Sequence, residues 1–330
     1  MHTVALSDHY KSQLKDSLRK IGSPYQDIEE FLLEIYPLFS NLPKSVLRKV
    51  FEWRNDPNEY GALLLENFPI DNELPETPAN GRRSEDKSTF ISEACILGVA
   101  QLLGQPIGYH DEKEGELVHN LCPVKTQTSA TSNESSKISQ GFHTDFNFDK
   151  ENPDQPYNVI NPDFVLLICL RADIRAEACT LYADVRDICR NLTDAELSTL
   201  RQPLFQFAAS YSFTGKCGED KIWSVPTPLI KGPAKFPELS IDLLCGVKPL
   251  SEDAEIVLEK VRVICETYVV ASKVFLRPGD LLLLDNRKGA HGRTAFSADF
   301  SGYDRWVQRV YVRRSLWEMR KETNNSLRIY

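Results

Sequence analysis

Residues 141 to 149 read GFHTDFNFD, which sets His143 two positions before Asp145 in a phenylalanine-rich run with the character of a strand. Successive strand side chains point to opposite faces, so residues i and i+2 share one. His143 and Asp145 could therefore send two donor atoms into one cavity while Thr144 faces away. A metal site needs a third donor. The chain has six histidines, at 2, 9, 110, 119, 143 and 291. His2 and His9 fall in the N-terminal helical region, whereas His291 follows a strongly apolar strand and a tight turn in LLLLDNRKGAHGRTAF. Two histidines and one carboxylate leave three positions open on a metal, an arrangement suited to non-heme Fe(II) and oxygen. A zinc hydrolase uses similar ligands, and an H-x-D at a solvated strand end needs no metal.

A second pattern bears on that choice. In DRWVQRVYVRR, alternation places Arg305, Val307, Arg309 and Tyr311 on one face and Trp306, Gln308, Val310 and Val312 on the other. Guanidinium groups amid β-branched and aromatic residues are costly to bury unless anions meet them, and Arg pairs with carboxylates through two parallel hydrogen bonds. The face reads as a pocket for two carboxylates. An edge strand with its arginines in water is the alternative.

The elements that must position these residues change character along the chain. Up to Gly104 the sequence looks helical: YKSQLKDSLRKIG, YQDIEEFLLEIYPLF, KSVLRKVFEWR and STFISEACILGVAQLLG carry apolar residues at helical spacing. Between the last two, PIDNELPETPANGRRSEDK reads as a polar, Pro-containing loop free to move. Beyond Gly104 come short runs rich in Val, Ile, Leu and aromatics, among them GELVHNLCPV, PDFVLLICLRA, CTLYAD, ELSIDLLCG, SKVFLRPGDLLLLDN and RWVQRVYVRR. Two helices interrupt them, one opened by Thr193 and Glu196 at capping-box spacing, the other SEDAEIVLEKVRVICETYVVAS from Ser251. Strands without regular βα alternation favour a mainly β sandwich or jelly roll with flanking helices. The expected organisation is a helical region at 1–104 packed on a single core at 105–330. Polar insertions at 125–140 and 149–162 bracket the His-x-Asp motif as lids or as solvated linkers.

At 330 residues, with 42% hydrophobic and 26% charged, the chain can bury a sizeable core in one or two domains. A formal net charge of −8 argues against nucleic acid or an anionic membrane as the main partner. The N-terminus lacks a signal-peptide apolar segment, which leads one to expect a cytoplasmic protein. Eight cysteines without a CxxC pair suggest reduced, buried thiols. A homo-oligomer is compatible with all of this.

Taken in order, His143-Thr144-Asp145, PDFVLLICLRAD (162–173), PGDLLLLDNRKGAHGRTAF (278–296) and GYDRWVQRVYV (302–312) resemble the clavaminate synthase-like Fe(II)/2-oxoglutarate-dependent oxygenases. Within that family the pattern is most similar to the hydroxylases of free asparagine, arginine or lysine. The resemblance covers roughly residues 105 to 316 and implies a double-stranded β-helix, or jelly roll, with helices packed outside. It implies Fe(II) held by His143, Asp145 and His291, with 2-oxoglutarate and O2 as cosubstrates. Arg305, fourteen residues after His291, would pair with the distal carboxylate of 2-oxoglutarate, assisted by Thr180. Arg309 would hold the carboxylate of the amino-acid substrate, Gln127 its α-amino-acid group, Glu112 its ammonium, and Asp242 the end of its side chain.

The implied reaction couples oxidative decarboxylation of 2-oxoglutarate, giving succinate and CO2, to hydroxylation of the amino acid. Asp145 favours hydroxylation over halogenation, because related halogenases leave that position to a small residue so that halide can bind. Two acidic side chains, Asp242 and Glu112, suit a cationic substrate. L-Lysine hydroxylated at C3 or C4 is the first expectation, with L-arginine or L-asparagine as alternatives. A cupin-like metal-binding jelly roll without oxygenase activity, or a zinc hydrolase, would have no use for the arginine face.

Overall fold

Three stretches are apolar at nearly every position, ALLLE at 62–66, FVLLICLR at 164–171 and LLLLD at 281–285, and strands of that kind need cover on both faces. The computed structural model describes residues 1–127, 136–146, 161–210, 220–243, 246–267, 270–317 and 327–329. In chain order its strands are β1 (His2–Ala5), β2 (Ala62–Glu66), β3 (Gln105–Tyr109), β4 (His119–Leu121), β5 (Gln140–His143), β6 (Phe164–Arg171), β7 (Thr180–Asp184), β8 (Phe205–Phe207), β9 (Ile230–Lys231), β10 (Glu238–Leu239), β11 (Val247–Pro249), β12 (Ala271–Val274), β13 (Leu281–Asp285), β14 (Gly289–Arg293), β15 (Trp306–Arg313) and β16 (Arg328–Ile329). The helices are α1 (Asp8–Leu18), α2 (Ile28–Ser40), α3 (Lys44–Asn55), α4 (Ile91–Leu103), α5 (Val185–Arg190), α6 (Asp194–Leu200) and α7 (Glu252–Glu266).

Eight strands form the main sheet in the order β1-β2-β13-β6-β15-β3-β16, with β4 also paired to β15. Four more form a second sheet, β12-β7-β14-β5. The period of two sends neighbouring leucines into different cores. Leu281 and Leu283, with Leu166 and Ile168, pack against residues of α1 to α4. Leu282 and Leu284, with Val165 and Leu167, pack towards Tyr182 and Val274 of the second sheet. On its far side that sheet is covered by α5, α6 and α7 through Ile188, Leu200, Val257 and Val261. The layers are therefore helices, main sheet, second sheet, helices.

Helix α4 is apolar around most of its circumference and is correspondingly interior. Its buried Glu93 pairs with Lys87 and accepts a 2.8 Å hydrogen bond from Gln308 Nε2. Asp71 lies 2.9 Å from Lys87 Nζ and accepts from the Ile91 and Ser92 amides at the start of α4. The 69–87 stretch, expected to be a free polar loop, is thus fastened at both ends by buried charge.

The first hundred residues form four helices as expected, but they also supply β1 and β2. β1 runs parallel to β2, and β2 is antiparallel to β13, so the N-terminal region shares the main sheet with the core. A five-residue apolar run carries no period that separates a buried strand from a piece of helix. The capping box of α6 is present at Thr193 and Glu196. Helix α7 begins after Ser251 as read but ends at Glu266, where Thr267 turns to extended geometry and the chain goes on to β12. Among the described residues no helix is long and apolar enough to cross a membrane. The six described cysteines are free, all but Cys189 buried, while Cys217 and Cys245 lie outside the described residues. Most of the two polar insertions, at 128–135 and 147–160, also lies outside them.

Candidate metal centre

β5 and β14 pair antiparallel with His143 directly opposite His291. Gly292 permits that approach, since a Cβ there would stand 2.6 Å from the Gln140 carbonyl oxygen. The two imidazoles lie 4.5 Å apart between ring centroids. Asp145 follows two residues after His143. Thr144 points the other way, its hydroxyl accepting from the Ile241 amide at 3.0 Å, as alternation requires. The Asp145 backbone is clamped by Asn286, whose Oδ1 accepts from the Asp145 amide at 2.8 Å and whose Nδ2 donates to its carbonyl at 2.9 Å. Just beyond, Phe146 adopts a φ of 55°, which turns the chain out of the strand, a strained conformation of the sort that collects at functional sites.

His143, Asp145 and His291 each offer one donor atom, all within 4.8 Å of one another. His143 Nδ1 donates to the Gly141 carbonyl at 2.8 Å, which leaves the lone pair on Nε2. Asp145 Oδ2 lies 3.3 Å from His291 Nε2 but has no hydrogen-bond partner, whereas Oδ1 accepts from the Tyr311 hydroxyl at 3.2 Å. A buried carboxylate oxygen without a partner is costly, and a cation beside it removes the cost. Burial acts to raise the Asp145 pKa, but His291, Arg309 and His143 outweigh it and hold the carboxyl well below its ordinary range. His291 is lowered, by burial first and His143 next, against the pull of Asp145. The cluster therefore offers a carboxylate and a neutral His291 at neutral pH, the protonation states that metal ligation requires. The donor set fits a divalent transition metal.

Facing this cluster is β15. It is a central strand, paired with β6 on one side and with β3 and β4 on the other, and it is buried throughout, so the edge-strand alternative fails. Arg305, immediately before it, is buried and forms no ion pair with a carboxylate among the described residues. Asp173, the acid whose charge it feels, is already engaged by the Arg175, Glu177 and Ala178 amides. The guanidinium groups of Arg293 and Arg305 both lie over the Phe296 ring, at 4.8 and 5.9 Å from its centroid. Thr180 of β7 pairs directly with Arg293 of β14. The result is a buried cationic corner with Thr180 beside it.

Four residues along, Arg309 Nη2 donates to Glu112 Oε1 at 2.6 Å and to His119 Nδ1 at 2.8 Å. His119 is fixed in turn by donation from Nε2 to the Glu116 carbonyl at 2.9 Å. Burial, and then the charge of Arg309, lower the His119 pKa well below its usual value and keep the ring neutral. Burial works against the Arg309 charge, but Tyr311, Glu112 and Asp145 raise its pKa, so it is a firm cation. Burial pushes the Glu112 carboxyl up, against the pull of Arg309.

Of the residues expected at a site, the structure brings together His143, Asp145, His291, Arg309 and Glu112, with Arg305 and Thr180 in the neighbouring corner. Asp242 is half-buried and bridges to His143 across two antiparallel segments. Gln127 is exposed at the end of a short 3-10 turn and joins none of these side chains. Sequence reasoning missed His119 and Asn286. His119 sits in a run that reads as core strand, and its only signal is a polar ring among apolar neighbours. Asn286 resembles an ordinary turn residue.

No protein-family model matches the chain. It is 32% identical over 272 residues to an L-asparagine oxygenase of Streptomyces coelicolor, covering 82% of this chain and 76% of that one. It is 30% identical over 293 residues to clavaminate synthase 2 of Streptomyces clavuligerus, covering 88% and 85%. The chain belongs to the clavaminate synthase-like Fe(II)/2-oxoglutarate-dependent oxygenases. A solved structure of asparagine oxygenase in complex with Fe(II), 2S,3S-3-hydroxyasparagine and succinate superposes with a TM-score of 0.86 at 28% identity, covering 100% of this chain and 99% of that one. As a member of the family's free amino-acid hydroxylase branch, the protein is a dioxygenase that uses Fe(II), 2-oxoglutarate and O2.

Proposed function

We propose that His143, Asp145 and His291 hold the iron, that Arg305 with Thr180 receives the distal carboxylate of 2-oxoglutarate, and that Arg309 with Glu112 receives the head of a free L-amino acid. The observation that carries this reading is the Arg309–Glu112 pair beside Asp145, with Arg309 Nε and Glu112 Oε2 both buried and without a partner. An α-amino acid carries one carboxylate and one ammonium on the same carbon. A guanidinium and a carboxylate in contact, each with one group to spare, are complementary to that pair. The two facing sheets, with the site between them, support a double-stranded β-helix as the core.

Iron in this position supplies oxygen activation coupled to oxidative decarboxylation of 2-oxoglutarate to succinate and CO2. The side chains supply positioning. Gly141 fixes the His143 tautomer, Asn286 fixes the Asp145 backbone, and Asp145 fills the position that a halogenase would leave to halide. His119 holds the Arg309 fork from behind, so that it presents a fixed geometry to the substrate carboxylate.

Asp242 would read the substrate side chain. The amides of Thr144 and Leu243 donate to the Ile241 and Phe142 carbonyls on either side, which makes His143 and Asp242 a non-hydrogen-bonded pair. Directly opposite residues of this kind share a face with Cα atoms roughly 4.5 Å apart. The two side chains therefore rise from one face, and the Asp242 carboxylate, which lies against Gly246, is assigned to a substrate side chain whose polar end is close to the carbon under attack. That relationship favours L-asparagine hydroxylated at C3, with its amide N–H groups on Asp242, and the similarity to an asparagine oxygenase agrees. L-Lysine at C3 or C4, followed by L-arginine, is the second reading. It draws on the negative charge of Asp242 alone, because Glu112 is engaged with Arg309.

The test is a panel of free amino acids given singly with Fe(II), 2-oxoglutarate and air, scored by succinate release and by products heavier by one oxygen. Asparagine is expected to lead and Asp242→Ala to flatten the preference. Turnover confined to amino acids without a side-chain N–H would overturn the assignment of Asp242.

A further inference from the structure

Tyr311 stands between the substrate pair and the metal cluster. It lies two residues after Arg309 on β15, on the same face, and is buried. Its ring meets Tyr109, Phe146 and His119 edge-on at 5.6, 5.5 and 5.7 Å between centroids, and the Arg309 guanidinium sits 4.2 Å over it. A phenol enclosed on so many sides has little freedom to swing. Its hydroxyl donates to Asp145 Oδ1 at 3.2 Å, while Oδ2 faces His291 Nε2 at 3.3 Å and accepts from nothing. The two oxygens of one carboxylate are thereby made unlike, one engaged and one open.

We propose that Tyr311 is a positioning residue that makes Asp145 a one-oxygen ligand, its hydroxyl holding Oδ1 away so that Oδ2 alone faces the metal. This rests on His143, Asp145 and His291 being the ligands. The consequence concerns coordination number. A facial triad leaves three positions, two for the chelating end of 2-oxoglutarate and one for dioxygen. A carboxylate free to rotate and bind through both oxygens would occupy one of those. Groups that orient a ligand without touching the metal commonly change affinity or activity by about 10- to 100-fold when removed.

The experiment uses the full chain loaded anaerobically with Co(II), whose visible d–d bands report coordination number. Y311F keeps the ring and removes the hydroxyl. Its Co(II) form is expected to show altered bands before any cosubstrate is added, and to bind 2-oxoglutarate about 10- to 100-fold more weakly than wild type. Metal-free melting is read alongside and is expected to fall modestly but stay cooperative, because Oδ1 loses its donor while the ring packing is retained. Tyr311→His, which keeps a ring bearing an N–H donor, is expected to recover the wild-type bands. Equal bands and equal 2-oxoglutarate affinity in Y311F and wild type overturn the proposal. So does the same band change in the Phe and His variants, which marks a packing effect. Asp145→Ala separates the two levels of the argument: Co(II) binding and bands unchanged in that variant would remove the ligand assignment itself.

Discussion

Arg309 and Glu112 meet at 2.6 Å, yet each keeps one buried atom without a partner, Nε and Oε2. If these atoms await the head of an amino acid, Arg309→Lys and Glu112→Gln raise KM for every accepted amino acid alike. Truncating one partner of a buried charge pair costs about 2–5 kcal/mol, so the rise is at least about 30-fold. KM for 2-oxoglutarate stays near wild type. Steady-state kinetics with each cosubstrate varied in turn reads the split.

Arg305 gives the mirror-image outcome. It is buried without a carboxylate partner among the described residues, so if it receives 2-oxoglutarate, Arg305→Ala removes the charge that holds the cosubstrate. KM for 2-oxoglutarate should rise by about two orders of magnitude with amino-acid affinity little changed. The metal-free protein should lose no stability in urea, since an unpaired buried cation has been taken away.

His143→Ala and His291→Ala should each abolish stoichiometric Fe(II) binding, read by metal analysis after anaerobic desalting. Turnover should fall to background in both. Retention of one iron per chain by either variant would remove that histidine from the ligand set.

His119 should leave a mark on acid stability. Its folded pKa lies well below 6.5, so below that pH the unfolded chain takes up a proton that the native chain refuses. The contribution is fully present above about pH 6.5 and is lost on acidification at up to about 1.4 kcal/mol per pH unit. Urea unfolding of wild type and His119→Gln at pH 7 and pH 5.5 tests this, with wild type expected to lose more stability between the two values.

The clustering of His143, Asp145 and His291 was legible because period-two alternation is a strong rule. His143 and Asp145 share a face, Thr144 does not, and the chain offers few histidines to complete the set. The arginine face was legible for the same reason. β1 and β2 were not, since a four-residue terminal strand and ALLLE carry no period to recognise. His119 was hidden by its setting: its role comes from lying opposite Arg309 in the pairing of β4 with β15, a register that neither segment announces alone. Gln127 shows the reverse limit, a residue type suited to the task but set on an exposed turn.

β15 carries Arg305 at its entry and Arg309 and Tyr311 along one face, inside a ladder bonded on both sides. Four residues of extended chain span about 13 Å, so the spacing between the two arginines is set by backbone rise rather than by any loop. If Arg305 and Arg309 receive the cosubstrate and the substrate as proposed, the strand acts as a ruler between them. One residue inserted between the arginines would turn Arg309 to the opposite side, against Glu93 and the helices, and away from Glu112. On that reading, variation in substrate choice arises away from this strand, in segments such as the one bearing Asp242, while the distance between cosubstrate and substrate stays constant.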